Sequence, residues 1–245
     1  DAATIIKQIK SAYKSNYGDN YKDSLNQALT SAGYKNLSEY RQKMIKQIQY
    51  ANFLLDYIDD HFDDVFNDYY QQCAPKYVSL IKISVSDTSS PTDDETSKLN
   101  EVKELISNTD KSFGDIAQDY SNDSTSSKKG SLGIVDSKDT SGIANSYGKD
   151  VFNAIEALSE GQVSDVITGD NGYYFVKVTS TDKKTLKKEL KKTDIDSPLL
   201  AYDDYLQYVV YNSYKINYKD KDIKKIVQEV VNKALEERKT ERGEA

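Results

Sequence analysis

The 245-residue chain has one histidine, His61, one cysteine, Cys73, one methionine, three prolines and no tryptophan. A single cysteine excludes an internal disulfide and any multi-thiol metal site, while a cysteine-poor chain suits an exported and a cytosolic protein equally well. With one imidazole and no nucleophile motif around it, serine–histidine–aspartate catalysis has no support. No Gly-rich phosphate loop is present, and no run of roughly 18 apolar residues exists that would span a membrane as a helix. The net charge of −7 comes without any basic groove, which excludes nucleic acid as a partner. The chain opens at Asp1 with no initiator methionine, so it reads as a processed or shortened chain with any export signal out of view.

Charge and tyrosine are what the chain has in quantity. Charged residues make up 30% and hydrophobic ones 37%, enough for a modest core in one large or two ordinary domains. There are 20 tyrosines against 6 phenylalanines. An apolar ring with a polar tip suits half-buried helix surfaces, so this abundance reads as a way of filling interface positions rather than as a dedicated aromatic site.

Apolar spacing organises the chain into helical ends and a mixed centre. Ile5, Ile6, Ile9, Ala12 and Tyr13 recur at helical steps up to Gly18, and a short helix is expected over 22–31. From Tyr40 through Met44, Ile48, Ala51, Leu55, Ile58, Phe62, Val65 and Tyr69 the steps of three and four predict a long amphipathic run, with Asp59 or Asp63 capping a restart inside it. Pro75 ends that run, because its ring fixes φ and removes the N–H. Tyr77–Val85 reads as a strand with Tyr77, Ser79, Ile81, Ile83 and Val85 on one face, and Val78, Leu80, Lys82 and Ser84 on the other. Helices are expected over 95–107, 113–120 and 149–158, with a short strand over 132–135 and a polar loop over 137–148. Two further strands, 163–168 and 173–179, are joined by Gly169-Asp-Asn-Gly172, whose Asn-Gly pair favours a hairpin.

The order β-α-α-β-α-β-β predicts an α+β unit with a mostly antiparallel sheet flanked by helices. Beyond Asp182 a lysine-rich helix, a helix over 199–211 and a helix over 222–238 follow. The last carries a stripe of Ile223, Ile226, Val227, Val230, Val231 and Ala234 that needs a partner. The amino-terminal helices carry matching stripes. Residues 1–76 and 183–245 are therefore expected to build one helical domain around an inserted unit, 77–182, with 239–245 fraying.

Three blocks of the inserted unit resemble the parvulin-type peptidyl-prolyl isomerases. Ser112 to Gly133, with Phe113, Tyr120-Ser121, Asp123 and Gly130, is similar to that family's helix and loop. Phe152 to Ser164 and Gly172 to Val178 are similar to its third helix and closing strand. The flanks Tyr17 to Tyr21, Leu25 to Leu29, Leu37 to Tyr40 and Tyr214 to Ile223 resemble the extracytoplasmic foldases of the PrsA type, in which a four-stranded parvulin domain is inserted between helical segments from both chain ends. The resemblance implies a lipid-anchored protein on the outer face of a Gram-positive-like cell membrane. Its partners would be unfolded or newly exported polypeptides, it would need no cofactor, and it could form a homodimer. Cys73 is internal and is no lipidation site.

In active parvulins the family pattern places a histidine in the first strand, a cysteine or aspartate after the Tyr-Ser motif, and a second histidine in the closing strand. Carried over, these positions fall on Ser79, Asp123 and Tyr174, so Asp123 alone is kept and is the candidate catalytic residue. The aromatic residue of the proline pocket falls on Val151, or on Phe152 with one deletion, and the strand after the loop supplies Leu132 and Ile134. With Ser79, Asn171 and Tyr174 these are the expected peptide-binding residues. Prolyl isomerisation crosses about 18–20 kcal/mol as the amide loses its partial double bond, without a covalent intermediate. A pocket that grips the ring while the carbonyl rotates lowers that barrier through preorganised contacts, so imidazole is not indispensable. The resemblance with both histidines replaced implies a foldase and chaperone of weak or no isomerase activity. The alternative is a working isomerase using Asp123, Ser79 and Tyr174, and a third reading is a surface protein that uses the scaffold for adhesion or wall binding.

Two charged stretches remain. His61 stands among Asp56, Asp59, Asp60, Asp63 and Asp64. Carboxylates with one imidazole can hold a divalent ion, but Ile58, Phe62 and Val65 turn the aspartates to a solvated face and no EF-hand spacing exists, so no metal is expected. Lys183, Lys184, Lys187, Lys188, Lys191 and Lys192 form an opposite patch. It reads as a solvated helix or an electrostatic match to the acidic 56–68 stretch, with an anionic membrane or wall polymer as the other reading.

Overall fold

A computed structural model of the chain describes residues 1–190 and 196–244. Lys191 and Lys192 of the lysine patch, and Ala245 of the terminus expected to fray, lie outside the described residues. The chain divides into two compact units, 1–60 with 205–245 and 61–204. In chain order, helices α1 (Ala2–Tyr17), α2 (Tyr21–Ser31) and α3 (Leu37–Asp60) open the first unit. The second contains α4 (Phe62–Cys73), β1 (Lys76–Ser84), α5 (Asp93–Asn108), α6 (Phe113–Tyr120), β2 (Ser131–Val135), α7 (Ile143–Tyr147), α8 (Lys149–Ala157), β3 (Ile167–Gly169), β4 (Gly172–Ser180) and α9 (Lys183–Glu189). Helices α10 (Leu206–Ser213) and α11 (Lys221–Glu241) complete the first.

Local chemistry accounts for the helix ends. Asp1 accepts from Thr4 N–H at the start of α1. Thr92 and Glu95 form a reciprocal capping box that opens α5, and Ser112 caps α6 through Asp115 N–H. The long apolar run does restart, but at His61 rather than at Asp59 or Asp63: His61 takes the non-helical cap position at φ −120°. Asp63 and Asp64 fall in the first turn of α4 instead, where carboxylates complement the helix dipole. Ala74, left-handed at φ 42°, and Pro75 then close α4.

The sheet is antiparallel throughout in the order β2-β1-β4-β3. Alternation along β1 divides the unit into two cores. Val78 and Leu80 pack with Val135, Ile143, Val151, Ile155 and Val176 on one face. Ile81 and Ile83 pack with Val102, Phe113, Ile116 and Phe175 under α5 and α6 on the other. The hairpin forms where Asn171 and Gly172 predict it, with Gly169 paired to Gly172.

Three elements differ from expectation. The polar loop 137–148 contains α7, because the Asp139 carboxylate accepts from Ile143 N–H at 2.6 Å and Ala144 N–H at 2.9 Å, which pins a helical turn. The strand expected over 163–168 is regular only from Ile167. Before that the chain is tied to β4 by single contacts, a lone bridge from Val163 to Lys177 and a 2.9 Å bond from Ser164 N–H to the Val176 carbonyl. The helix expected over 199–211 is split: Ser197 and Pro198 start a 3-10 turn, Pro198–Leu200, and α10 begins only at Leu206.

The second unit extends on both sides of 77–182. Asp136, fully buried, accepts from the Tyr69 hydroxyl of α4 at 2.8 Å, from Lys138 N–H at 3.0 Å, and from both the hydroxyl and the N–H of Thr140. The Tyr202 ring meets Tyr69 edge-on at 5.4 Å, its hydroxyl donates to Asp68 at 2.8 Å, and its carbonyl accepts from Lys138 Nζ at 2.8 Å. Burial, and after it the Asp136 carboxylate, push the Tyr69 phenol far above its ordinary range, so it stays a donor.

In the first unit Ala2, Ile6 and Met44 form a small cluster with Ile9, Tyr40 and Ile48 around it, and the Phe53 ring lies 5.9 Å from Tyr211 and 5.3 Å from Tyr214. The α11 stripe is only partly covered. Val231 and Ala234 are buried, while Ile223, Ile226 and Val230 remain 54%, 60% and 50% exposed.

Candidate functional site

A cleft of about 660 Å³ opens in the second unit between β1, β4, the β3–β4 hairpin and the α7–α8 corner, with Lys82, Asp123, Tyr147, Val151, Asn171 and Tyr174 among its walls. The loop after α6 is tied to β1 by two bonds, from Lys82 N–H to Ser121 Oγ at 3.0 Å and from Asn122 N–H to the Lys82 carbonyl at 2.8 Å. These bonds set Asp123 beside Lys82. Asp123 caps the 3-10 turn Ser124–Lys128: its Oδ1 accepts from Thr125 N–H at 2.9 Å and Thr125 Oγ1 at 2.6 Å, and from the Tyr147 hydroxyl at 3.4 Å. With its rotamer fixed on three donors, the carboxylate presents a defined acceptor edge to the cleft.

Tyr147, the last residue of α7, stands edge-on to Tyr174 with ring centres 6.2 Å apart. Burial first, and then the Asp123 charge, push its phenol up to about 12, so at neutral pH it is a permanent hydrogen-bond donor. Tyr174 lies across the ladder from Lys82, whose Nζ is 5.7 Å from the ring centre, and its hydroxyl donates to Asn171 Oδ1 at 2.8 Å. Gly169 makes this ring position available, because a Cβ there would fall 2.6 Å from Tyr174 Cε2. Val151, buried, contributes an apolar patch. Among the described residues no group of three or more histidine, cysteine, aspartate or glutamate side chains is placed to hold a metal.

Asp123, Val151, Asn171 and Tyr174 are thus brought together, and four other expected residues are not. Ser79 lies three residues from Lys82 on β1, an odd offset that turns it to the opposite face of the sheet, where it lines a different cavity and meets neither Asp123 nor Tyr174. Leu132 packs on the cleft-side core and, with Ile134, borders a separate hollow beside Tyr77 and Pro198. Phe152 is half-buried against that same core and is not among the cleft walls.

Residues 80–180 match the rotamase family model, described as a PPIC-type PPIASE domain. Foldase protein PrsA of Staphylococcus epidermidis is 32% identical over 141 residues, 55% of this chain and 41% of that protein, and foldase protein PrsA of Staphylococcus aureus gives the same figures. Residues 80–180 thus form a parvulin-like rotamase domain, and over 141 residues the chain is similar to PrsA-type foldases. It covers less than half the length of the PrsA relatives it matches. A solved structure of foldase protein PrsA from Streptococcus pneumoniae is similar at 20% identity and a TM-score of 0.42, over 94% of this chain and 81% of that one; the assignment rests on the sequence matches.

Every cleft residue named above falls inside the parvulin-like segment, whereas Ser79 precedes it. Sequence reasoning missed Lys82 and Tyr147. Lys82 was available from the alternation of β1, which puts it on the face of Val78 and Leu80. Tyr147 had no signal, because it is aimed by a short helix whose first turn is pinned by the Asp139 side chain inside a polar stretch.

Proposed function

We propose that this chain is an extracytoplasmic folding factor that binds unfolded, newly exported polypeptides, held at the outer face of the membrane by a lipid anchor and able to form a homodimer. Among the described residues no helix is long and apolar enough to cross a membrane. The observation that carries the reading is the cleft of the rotamase-matched segment, which joins an apolar patch to fixed polar groups. A prolyl ring would lie against Val151 and the Tyr174 ring, while Tyr147 and Lys82 donate to peptide carbonyls and Asp123 and Asn171 offer acceptor oxygens. These contacts suit an extended segment and impose little sequence choice. The helical segments from both chain ends form the larger client-holding surface, through apolar side chains left in water.

With lysine and tyrosine side by side on the sheet face of the cleft and no imidazole in it, the cleft grips proline segments and accelerates their isomerisation weakly or not at all. The full chain is expected to suppress aggregation of a reduced, unfolding client at stoichiometric ratios, and failure to do so would overturn the chaperone reading. A proline-peptide isomerisation assay tests the cleft separately. A rate increase abolished by Asp123→Ala would replace the binding module with a working isomerase.

A further inference from the structure

The sheet face opposite the cleft holds a second cavity, of about 350 Å³. Ser79 of β1 pairs with Ser131 of β2 on one side and Lys177 of β4 on the other, so these three side chains form one row across the sheet. Directly opposed residues of an antiparallel ladder share a face, with Cβ atoms about 4.5–5.5 Å apart. Lys128 and the first turn of α6, Phe113 and Gly114, also line the cavity.

The hydrogen-bond inventory of this cavity is unbalanced toward donors. Ser79 is 9% exposed, lines the space, and its hydroxyl has no hydrogen-bond partner among the described residues. The neighbouring Ser131 hydroxyl, by contrast, donates to Tyr77 at 2.9 Å. The Ser79 oxygen is open to the cavity and so available to a group that enters it. Lys128 and Lys177 have no ion pair among the described residues. The N–H groups of Phe113 and Gly114 are the first two of α6, have no helical acceptor, and lie at the positive end of the helix dipole. Asp115, the carboxylate of that turn, is already held by Lys129 Nζ at 2.7 Å and by the Ser112 hydroxyl at 2.7 Å, and these bonds keep its pKa below the usual range.

We propose that this cavity is a binding site for a phosphate-class oxyanion, with Lys177 and Lys128 supplying charge, Ser79 a hydroxyl open to the cavity, and the start of α6 two backbone donors. Phosphate oxygens accept from all three donor types, and charge-assisted bonds of this kind are the strong ones. The site is separate from the cleft and stands whether or not the folding-factor reading holds.

Calorimetric titration of the full chain with inorganic phosphate, and sedimentation with phosphatidylglycerol vesicles against phosphatidylcholine controls, test it. Saturable binding is expected that weakens about tenfold in Lys177→Met, weakens also in Ser79→Ala, and declines with added salt. Binding in the phosphate arm alone identifies the free ion as the ligand; lysine-dependent binding that extends to the anionic vesicles identifies a lipid headgroup. Lys177 is half-buried on the sheet edge of the cavity, so Lys177→Met is checked for an unchanged melting curve and remains decisive should Ser79→Ala perturb folding. No saturable binding in either arm, or binding equal in Lys177→Met and the parent, overturns the proposal.

Discussion

The two units use apolar residues in opposite ways. The sheet-containing unit encloses them: Val78, Leu80, Ile81, Ile83, Val102 and Ile155 are wholly buried, and both sheet faces are covered by helices. The helical unit buries Ile6, Leu25, Leu29 and Met44 but leaves Ile223, Ile226 and Val230 mostly in water, three residues on one face of α11. One unit therefore spends its hydrophobic surface on its own fold and the other presents part of it outward. A rigid enclosed unit holds a cleft to fixed geometry, whereas an open apolar face takes any chain that offers apolar side chains, which is the division of labour proposed for cleft and helices.

The sharpest way to break this contrast is at Asp136. Replacing it with alanine strands the buried Tyr69 hydroxyl and frees the Thr140 turn, so the sheet-containing unit is expected to lose about 3 kcal/mol. Urea unfolding followed by residue-resolved NMR reads this directly: signals from 61–204 shift to lower denaturant and those of α1 and α2 do not. A common shift of both sets would mean that the units unfold as one and that the contrast is only a matter of surface.

A smaller effect comes from the same deletion made once in each unit. Ile155→Ala removes a fully buried side chain from the cleft-side core and is expected to cost about 2–5 kcal/mol. Ile226→Ala, at a position 60% exposed, should change stability by less than about 0.5 kcal/mol. Client protection is expected to reverse the order, with Ile226→Ala weakening aggregation suppression at unchanged stability. If Ile226→Ala suppresses aggregation as well as the parent, the open face of α11 is not where clients bind.

What the sequence disclosed follows a different division, between periodic patterns and single polar contacts. Period-two alternation in 77–85, the Asn-Gly hairpin and the apolar spacing of 113–120 are local signals, and β1, the hairpin and α6 were legible from them. Elements set by individual polar side chains were not. Helix α7 is pinned by the Asp139 carboxylate four and five residues back, the 3-10 turn Pro198–Leu200 is capped by Ser197, and the Asp136–Tyr69 bond joins residues 67 apart in sequence. Asp123 and Tyr174 of the candidate cleft fell inside motif blocks, and Val151 and Asn171 lay directly beside them. Ser79 was misplaced because a family pattern was laid on β1 without its alternation, which already separated Ser79 from Lys82.

The smallest effect distinguishes two tyrosines by cause. Tyr50 of α3 is raised by burial and by neighbouring Tyr211 and Tyr208, whereas Tyr147 is raised to about 12 by burial and then by the Asp123 carboxylate. Asp123→Asn removes the charge but not the burial, so the Tyr147 pKa is expected to fall while staying above the ordinary tyrosine value, and Tyr50 should not move. Carbon-13 NMR of labelled tyrosine rings across alkaline pH reads both. The sign for stability follows: the protonated phenol is favoured in the folded state, so its contribution is complete below the ordinary tyrosine pKa of roughly 10. That contribution is lost as pH rises through about 12. Asp123→Asn narrows that window from above, and an unmoved Tyr147 would mean that its 3.4 Å approach to Asp123 carries no charge coupling, leaving the cleft with burial alone to hold its donor.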